Sequence, residues 1–255
     1  MTIDLKDLTI TIPIKMDHDD RRRNLKTVME YLTHNFDTNI LICEQDSTEV
    51  PDLLKGYDFG YMTCSRTDGM IHRTYQLNIM AKAATTPYVA NYDADVIVNP
   101  KQMIETMEML RNGATMVLPY AGPCWDVNAQ HHQKIFDEKS VEFIKDPKQF
   151  GGLMNNNSVG GALFWNRDNF IKGGMENEKF ISWGFEDNER FARFNTLGYQ
   201  VERASGFLLH LNHYRTPNSN HKHKFYANNQ SMYNKIKGMN KAQLLNEIKT
   251  WKWCQ

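Results

Sequence analysis

Residues 8–14, Leu-Thr-Ile-Thr-Ile-Pro-Ile, are apolar and β-branched in an unbroken run, which predicts a strand. Carboxylates at residues 17–20 then supply helix caps, and apolar residues at Leu25, Val28, Met29, Leu32 and Phe36 recur at helical spacing. Residues 39–43 read as a second strand. Leu77, Met80, Ala81 and Ala84 line one face of a helix that leads into a strand at 88–92. Pro100 opens another helix, with Met103, Ile104, Met107 and Leu110 expected inward, and 114–118 is a further strand. Strand and helix alternate throughout this half, the signature of βαβ units around a mostly parallel sheet.

The second half is less regular. Residues 151–158, Gly-Gly-Leu-Met-Asn-Asn-Asn-Ser, are turn formers and predict a loop. Residues 159–165 are apolar and predict a strand. Residues 186–197 predict a helix burying Phe191, Phe194 and Leu197. There are no internal repeats and no marked domain boundary.

The chain has 255 residues, 41% hydrophobic and 24% charged, enough for one sizeable core. Thirty basic residues balance thirty acidic ones, so the basic excess of a general nucleic-acid binder is missing. No stretch approaches a membrane span, and residues 1–7 lack the apolar core of a signal peptide; the expected location is cytoplasmic. Cys43, Cys64, Cys124 and Cys254 form no CxxC pair and read as free thiols.

Three motifs carry chemistry. Asp93-Ala94-Asp95 closes the strand at 88–92, placing two carboxylates at the carboxyl edge of the sheet, where open α/β folds bind ligands. Oxygen ligands suit Mg²⁺ and Mn²⁺. Trp183-Gly184-Phe185-Glu186-Asp187 sets acidic groups at a helix start beside aromatic rings; such rings stack on sugars, and a neighbouring carboxylate can act as a general base. His210 and His213, at i and i+3 after an apolar run, converge if the chain turns there, as metal-binding imidazoles would. Arg73 opens the helix before the aspartate strand and is placed to reach a diphosphate. The run Arg21-Arg22-Arg23 reads mostly as a solvated helix face, with one phosphate contact, assigned to Arg23; Asp46, just past the second strand, is a further candidate donor contact. His221 and His223 sit in a basic loop and are expected to be solvated.

Order, spacing and identity of these motifs together resemble the β-1,4-galactosyltransferase family over about residues 12–218. The matching features are the strand and arginine run at 13–25, Arg73 with Leu77-Asn78, Asp93-Ala94-Asp95, Gly160-Gly161, the run 183–188, and His210-x-x-His213 where the family has Met-x-x-His. The resemblance implies a single-domain GT-A fold, a Rossmann-like α/β architecture with a mostly parallel central sheet and flanking helices, and an inverting transfer from a UDP-sugar. It implies Asp95, His213 and His210 as ligands of Mn²⁺. Asp93 would contact the donor ribose or sugar, Arg73 the diphosphate, and Gly161 and Trp183 would line the sugar sites. Asp187 would be the general base, with Glu186 orienting donor or acceptor.

Phe185 stands where the family has glycine, and Asn188 where it has an aspartate that helps hold the acceptor. His210 in place of methionine hardens the ligand set toward Mg²⁺. The expected partners are a nucleotide-sugar donor and a saccharide or lipid-linked glycan acceptor, with no nucleic acid. The rival readings are a sugar nucleotidyltransferase, disfavoured because residues 14–19 lack a glycine-rich loop, and a non-catalytic sugar-binding module.

On this reading residues 1–220 form the catalytic domain and 221–255 a basic helical extension. Leu244, Leu245, Ile248 and Trp251 fall at helical spacing among lysines. That stripe either packs on the domain or lies in an anionic membrane surface.

Overall fold

The computed structural model describes residues 2–255. β1 (Ile3–Lys15) runs to α1 (Asp19–Asn35), which is capped by the His18 side chain, and the chain passes directly into β2 (Phe36–Gln45). A one-turn helix, α2 (Val50–Leu53), precedes β3 (Gly60–Cys64). Then come α3 (Arg73–Ala83), β4 (Tyr88–Tyr92), the short β5 (Val96–Ile97), and α4 (Pro100–Arg111), capped by Asn99. β6 (Met116–Leu118), β7 (Cys124–Val127) and α5 (His132–Glu138) follow. β8 (Gly151–Asn155), β9 (Ala162–Asn166), α6 (Arg167–Lys172) and α7 (Glu186–Leu197) come next. The chain closes with β10 (Val201–Arg203), β11 (Leu208–Leu211), α8 (Tyr226–Lys237) and α9 (Lys241–Lys249).

The main sheet has seven strands in the order β10-β6-β9-β4-β1-β2-β3. All neighbours are parallel except β9, which runs antiparallel to both β4 and β6. The central strands β1 and β4 are buried on both faces along residues 8–14 and 89–92, which is why they read as largely apolar runs. The alternation in the first half therefore forms the mostly parallel sheet that it predicts.

A second sheet, β5-β11-β7-β8, stands beside the carboxyl end of β4 and is not foreseen from the sequence. Its strands are short, and residues 151–155, expected as loop, form its edge strand β8 against β7. Turn-forming residues are tolerated there because an edge strand needs only one ladder. Ile104 is 39% exposed rather than inward, so α4 buries a narrower stripe of Met103, Met107 and Leu110. Phe191 is half-buried, and the space expected for it is taken by Arg190 and Arg193, both fully buried.

The C-terminal stripe is core. Leu244, Ile248 and Trp251 are buried with Leu197 and Ile236, while Leu245 is exposed. Trp251 also lies over Arg193. Of the two readings of this tail, the packing one is what the structure describes: its apolar stripe lies against Leu197 of α7 and Ile236 of α8. Among the described residues no helix is long and apolar enough to cross a membrane.

Candidate active site

The carboxyl ends of β1 and β4, the second sheet and the start of α7 enclose a cleft of about 450 Å³. Strand register builds its metal corner. On β11, His210 pairs with Val96 of β5 on one side and with Asp126 of β7 on the other. The backbone N–H of Leu211 donates to the Asp95 carbonyl at 2.7 Å, stitching the histidine strand to the aspartate turn. The chain then bends so that the His213 ring lies 5.2 Å from that of His210, centre to centre.

One ligand atom each from Asp95, His210 and His213 lie within 4.8 Å of one another. His213 Nε2 is 3.2 Å from Asp95 Oδ2, and His210 Nε2 is 3.8 Å from Asp95 Oδ1. A carboxylate with two imidazoles is a donor set for Mn²⁺ or Mg²⁺ and fits the group that the fold implies. Burial pushes the Asp95 carboxyl up. The His213 hydrogen bond and the charges of His210 and Arg21 overcome this and hold it far below the usual carboxylate range.

Asp126, which the sequence reading overlooks, belongs to this corner. His210 Nδ1 donates to Asp126 Oδ1 at 2.7 Å, and Asn212 Nδ2 donates to Asp126 Oδ2 at 2.5 Å. With Nδ1 committed to Asp126, Nε2 is the ring nitrogen turned toward Asp95. Burial opposes ionisation of Asp126, but these two donors hold its carboxyl below the ordinary value. The motif Cys-Trp-Asp-Val gives no local sign of the role, which exists only through the β7–β11 register.

The acidic pair lines the same cleft. Asp187 opens α7 and is bridged by Arg190, whose other nitrogen donates to Glu176 at 2.6 Å. Arg73 reaches both motifs: its Nε and Nη2 donate to Asp93 Oδ1 at 2.9 and 2.7 Å, and its Nη1 lies 3.5 Å from Asp187. Burial works against the Arg73 charge, but Asp93, Asp187 and Glu186 around it keep the guanidinium firmly protonated. Asp93 is shifted upward by burial and by Asp95 and Asp187, against the pull of Arg73.

Glu186 is buried, and its Oε2 has no hydrogen-bond partner. Desolvation, with the Asp187 charge beside it, pushes the Glu186 carboxyl up to about 7. Arg73 Nη1 is likewise buried without a hydrogen bond. Unsatisfied buried polar atoms are rare in folded chains and here both line a cleft, the mark of groups kept for a ligand.

Gly160 and Gly161 have clear steric duties. A Cβ on Gly160 would stand 2.0 Å from Asp187 Oδ2. Gly161 has a φ of 82°, would drive a Cβ to 2.7 Å from Leu208, and accepts the Asp93 N–H on its carbonyl. Trp183 is 42% exposed at the cleft mouth and stacks on Tyr226 of α8, ring centres 6.1 Å apart and planes 9° apart. Phe185 has a φ of 70°, a left-handed conformation costly for an aromatic residue, and packs against Tyr226 and Tyr233.

Three expectations are corrected. Arg23 does not line the cleft: it turns away to Asp20 and the Asn212 carbonyl, and Arg21 faces the site instead. The helix places successive arginines about 100° apart, so only one of the three can point inward. His223 is not solvated; it is buried, with Nε2 2.6 Å from the Trp183 carbonyl. Asp46 is exposed, lies off the lining, and pairs with Lys15, which does line the cleft.

The fold is of the GT-A type. Residues 148–222, which carry the glycine pair, the acidic pair and both histidines, match the family described as the N-terminal domain of galactosyltransferase. No curated protein sequence matches the chain.

Among solved structures, a mannosyltransferase from Pyrobaculum calidifontis, in complex with GDP-Man and Mn²⁺, is similar with a TM-score of 0.52 and 12% identity. That match covers 80% of this chain and 56% of the other. A mycobacterial protein gives 0.56 and 11%, covering 89% and 74%. The catalytic domain of Drosophila β1,4-galactosyltransferase 7, in complex with xylobiose, gives 0.48 and 17%; the match covers 80% of this chain and 65% of the Drosophila chain's length. At these identities the likeness concerns the fold.

Proposed function

We propose that this protein is a metal-dependent, inverting glycosyltransferase. It moves a hexose or N-acetylhexosamine, galactose or N-acetylgalactosamine by preference, from a UDP-sugar to a sugar hydroxyl in glycan or polysaccharide synthesis. One observation carries this reading: a carboxylate–imidazole triad and the acidic pair Glu186-Asp187 line one cleft, with Arg73 joining Asp93 to Asp187.

Asp95, His210 and His213 would hold Mn²⁺ or Mg²⁺, which when bound would neutralise charge developing on the departing diphosphate. Arg73 adds a fixed positive charge at the same place, already desolvated and so stronger than in water. Asp187 takes the proton from the attacking hydroxyl of the acceptor. The Arg190–Glu176 pair holds the Asp187 carboxylate in one orientation, so that it is aligned before the acceptor arrives. Glu186, desolvated and close to half-protonated near neutral pH, can donate to or accept from a sugar hydroxyl. Trp183, backed by Tyr226, offers an aromatic face to the apolar C–H side of a pyranose.

The test is incubation with a panel of UDP-, GDP- and other nucleotide sugars, with Mn²⁺ and a panel of saccharide acceptors, read as nucleotide release. Acceptor-stimulated release from a UDP-sugar is expected. Absence of release from every donor would defeat the reading.

A further inference from the structure

Arg21 stands where the metal corner would be expected to hold only metal ligands. Its Nη1 lies 2.6 Å from Asp95 Oδ2 and 3.4 Å from His213 Nε2. These two ligand atoms are themselves 3.2 Å apart. The other carboxylate near the guanidinium is Asp17, with its Oδ1 3.8 Å from Arg21 Nε. The side chain is about five-sixths buried, at 16% exposure, so Asp95 is its main compensation for lost hydration.

A guanidinium 2.6 Å from Asp95 Oδ2 and 3.4 Å from His213 Nε2 stands where a divalent cation held by both would lie. The two cations repel at that range, and the imidazole nitrogen has only one lone pair to offer. A metal entering the triad must therefore displace Arg21 from Asp95. The released guanidinium needs another anion within reach of a side chain rooted in the first turn of α1. The cleft it lines is also lined by Lys15 and Arg73, a basic wall suited to a diphosphate, and a guanidinium matches phosphate oxygens bidentately.

We propose that Arg21 is an exchangeable counter-cation of Asp95. It holds the corner together before metal arrives, yields Asp95 to the divalent ion, and passes to the donor's diphosphate. This rests on the proposed function and deepens it. The consequence is a coupling between metal and nucleotide. Metal alone must compete with Arg21, whereas metal with nucleotide finds the guanidinium already re-partnered. Coupling of this kind is reciprocal, so metal should favour nucleotide by the same factor.

The experiment measures Mn²⁺ affinity from the electron paramagnetic resonance signal of free Mn²⁺, with and without saturating UDP. The proteins are the wild type, Arg21→Met and Arg21→Lys, each checked for folding by circular dichroism. Arg21→Met is expected to bind Mn²⁺ alone about tenfold more tightly than wild type, and to gain less from UDP. Arg21→Lys, which keeps the charge without the fork, is expected to fall between them, and it carries the test if the methionine variant does not fold. Equal or weaker Mn²⁺ binding alone by the variants overturns the proposal while leaving the metal site in place. Failure of the wild type to bind Mn²⁺, with or without UDP, overturns the metal-site reading and this proposal together.

Discussion

Asp126 accepts the Nδ1 proton of His210 at 2.7 Å, and so fixes the tautomer that turns Nε2 toward Asp95. The pair accompanies a substitution. A methionine at position 210, as in the resembling family, would have no second nitrogen to orient, whereas a histidine needs one ring nitrogen committed before the other can serve as a ligand. Carboxylate–histidine pairs of this kind tune metal affinity in many metalloproteins. Asp126→Asn is accordingly expected to weaken Mn²⁺ binding about 10- to 100-fold. In a His210→Met background the same change should matter far less. A calorimetric Mn²⁺ titration of the four proteins checks this, and equal losses in both backgrounds would show that Asp126 does not act through His210.

Asp187→Asn keeps the shape of the side chain and removes its basicity. The expected result is a fall in kcat of about 10²- to 10⁴-fold with nucleotide-sugar affinity close to wild type. The amide oxygen of the introduced asparagine can still accept a hydrogen bond from Arg190, so the fold should be retained. Steady-state kinetics with a calorimetric affinity make the measurement. Retained turnover would transfer the base role to another group, with Glu186 the first candidate.

Glu186 gives a pH signature in stability. Its folded-state value of about 7 lies above the ordinary 4.5, because burial and Asp187 favour the protonated form. Between those values the unfolded chain has released the proton and the folded chain retains it. Stability from this group is therefore complete below pH 4.5 and lost as pH rises toward 7. The slope is at most about 1.4 kcal/mol per pH unit. Relative to Glu186→Gln, the wild type should lose stability across this window, with the difference levelling off above it. Urea unfolding of both proteins from pH 4.5 to about 8 reads the difference; parallel curves would mean that the carboxyl is ordinary.

Trp251 tests the C-terminal helix as core. It is fully buried against Leu197, Ile236, Leu244 and Ile248, and a Cβ on Gly174 would stand 2.9 Å from its ring. Trp251→Ala should cost about 3 to 5 kcal/mol, seen as a large drop in Tm. Leu245→Ala, on the exposed side of α9, should change Tm little. Comparable effects of both would argue that α9 is not docked as described.

The sequence by itself showed five of the seven strands of the main sheet, β3 and β10 being missed, and the aspartate, acidic and histidine motifs. Unbroken apolar runs such as 88–92 fit strands buried on both faces, and the run ends at the carboxyl edge, so Asp93 and Asp95 are placed by pattern alone. The start of α7 is equally legible, because glycine, aromatic and acidic residues together mark a helix entrance.

The second sheet was decided only in three dimensions. Its strands have two to five residues, too short for a period, and they are held by partners far apart in the chain, such as His210 beside both Val96 and Asp126. The choice of Arg21 over Arg23 was likewise tertiary. Three consecutive arginines carry the same local signal, and the rotation of α1 against the sheet sets which one meets Asp95. The same holds for the buried Arg190 and Arg193. A charged residue reads as surface until its partners Glu176 and Glu189 are placed within 2.6 to 2.7 Å of it, and only the folded chain supplies them.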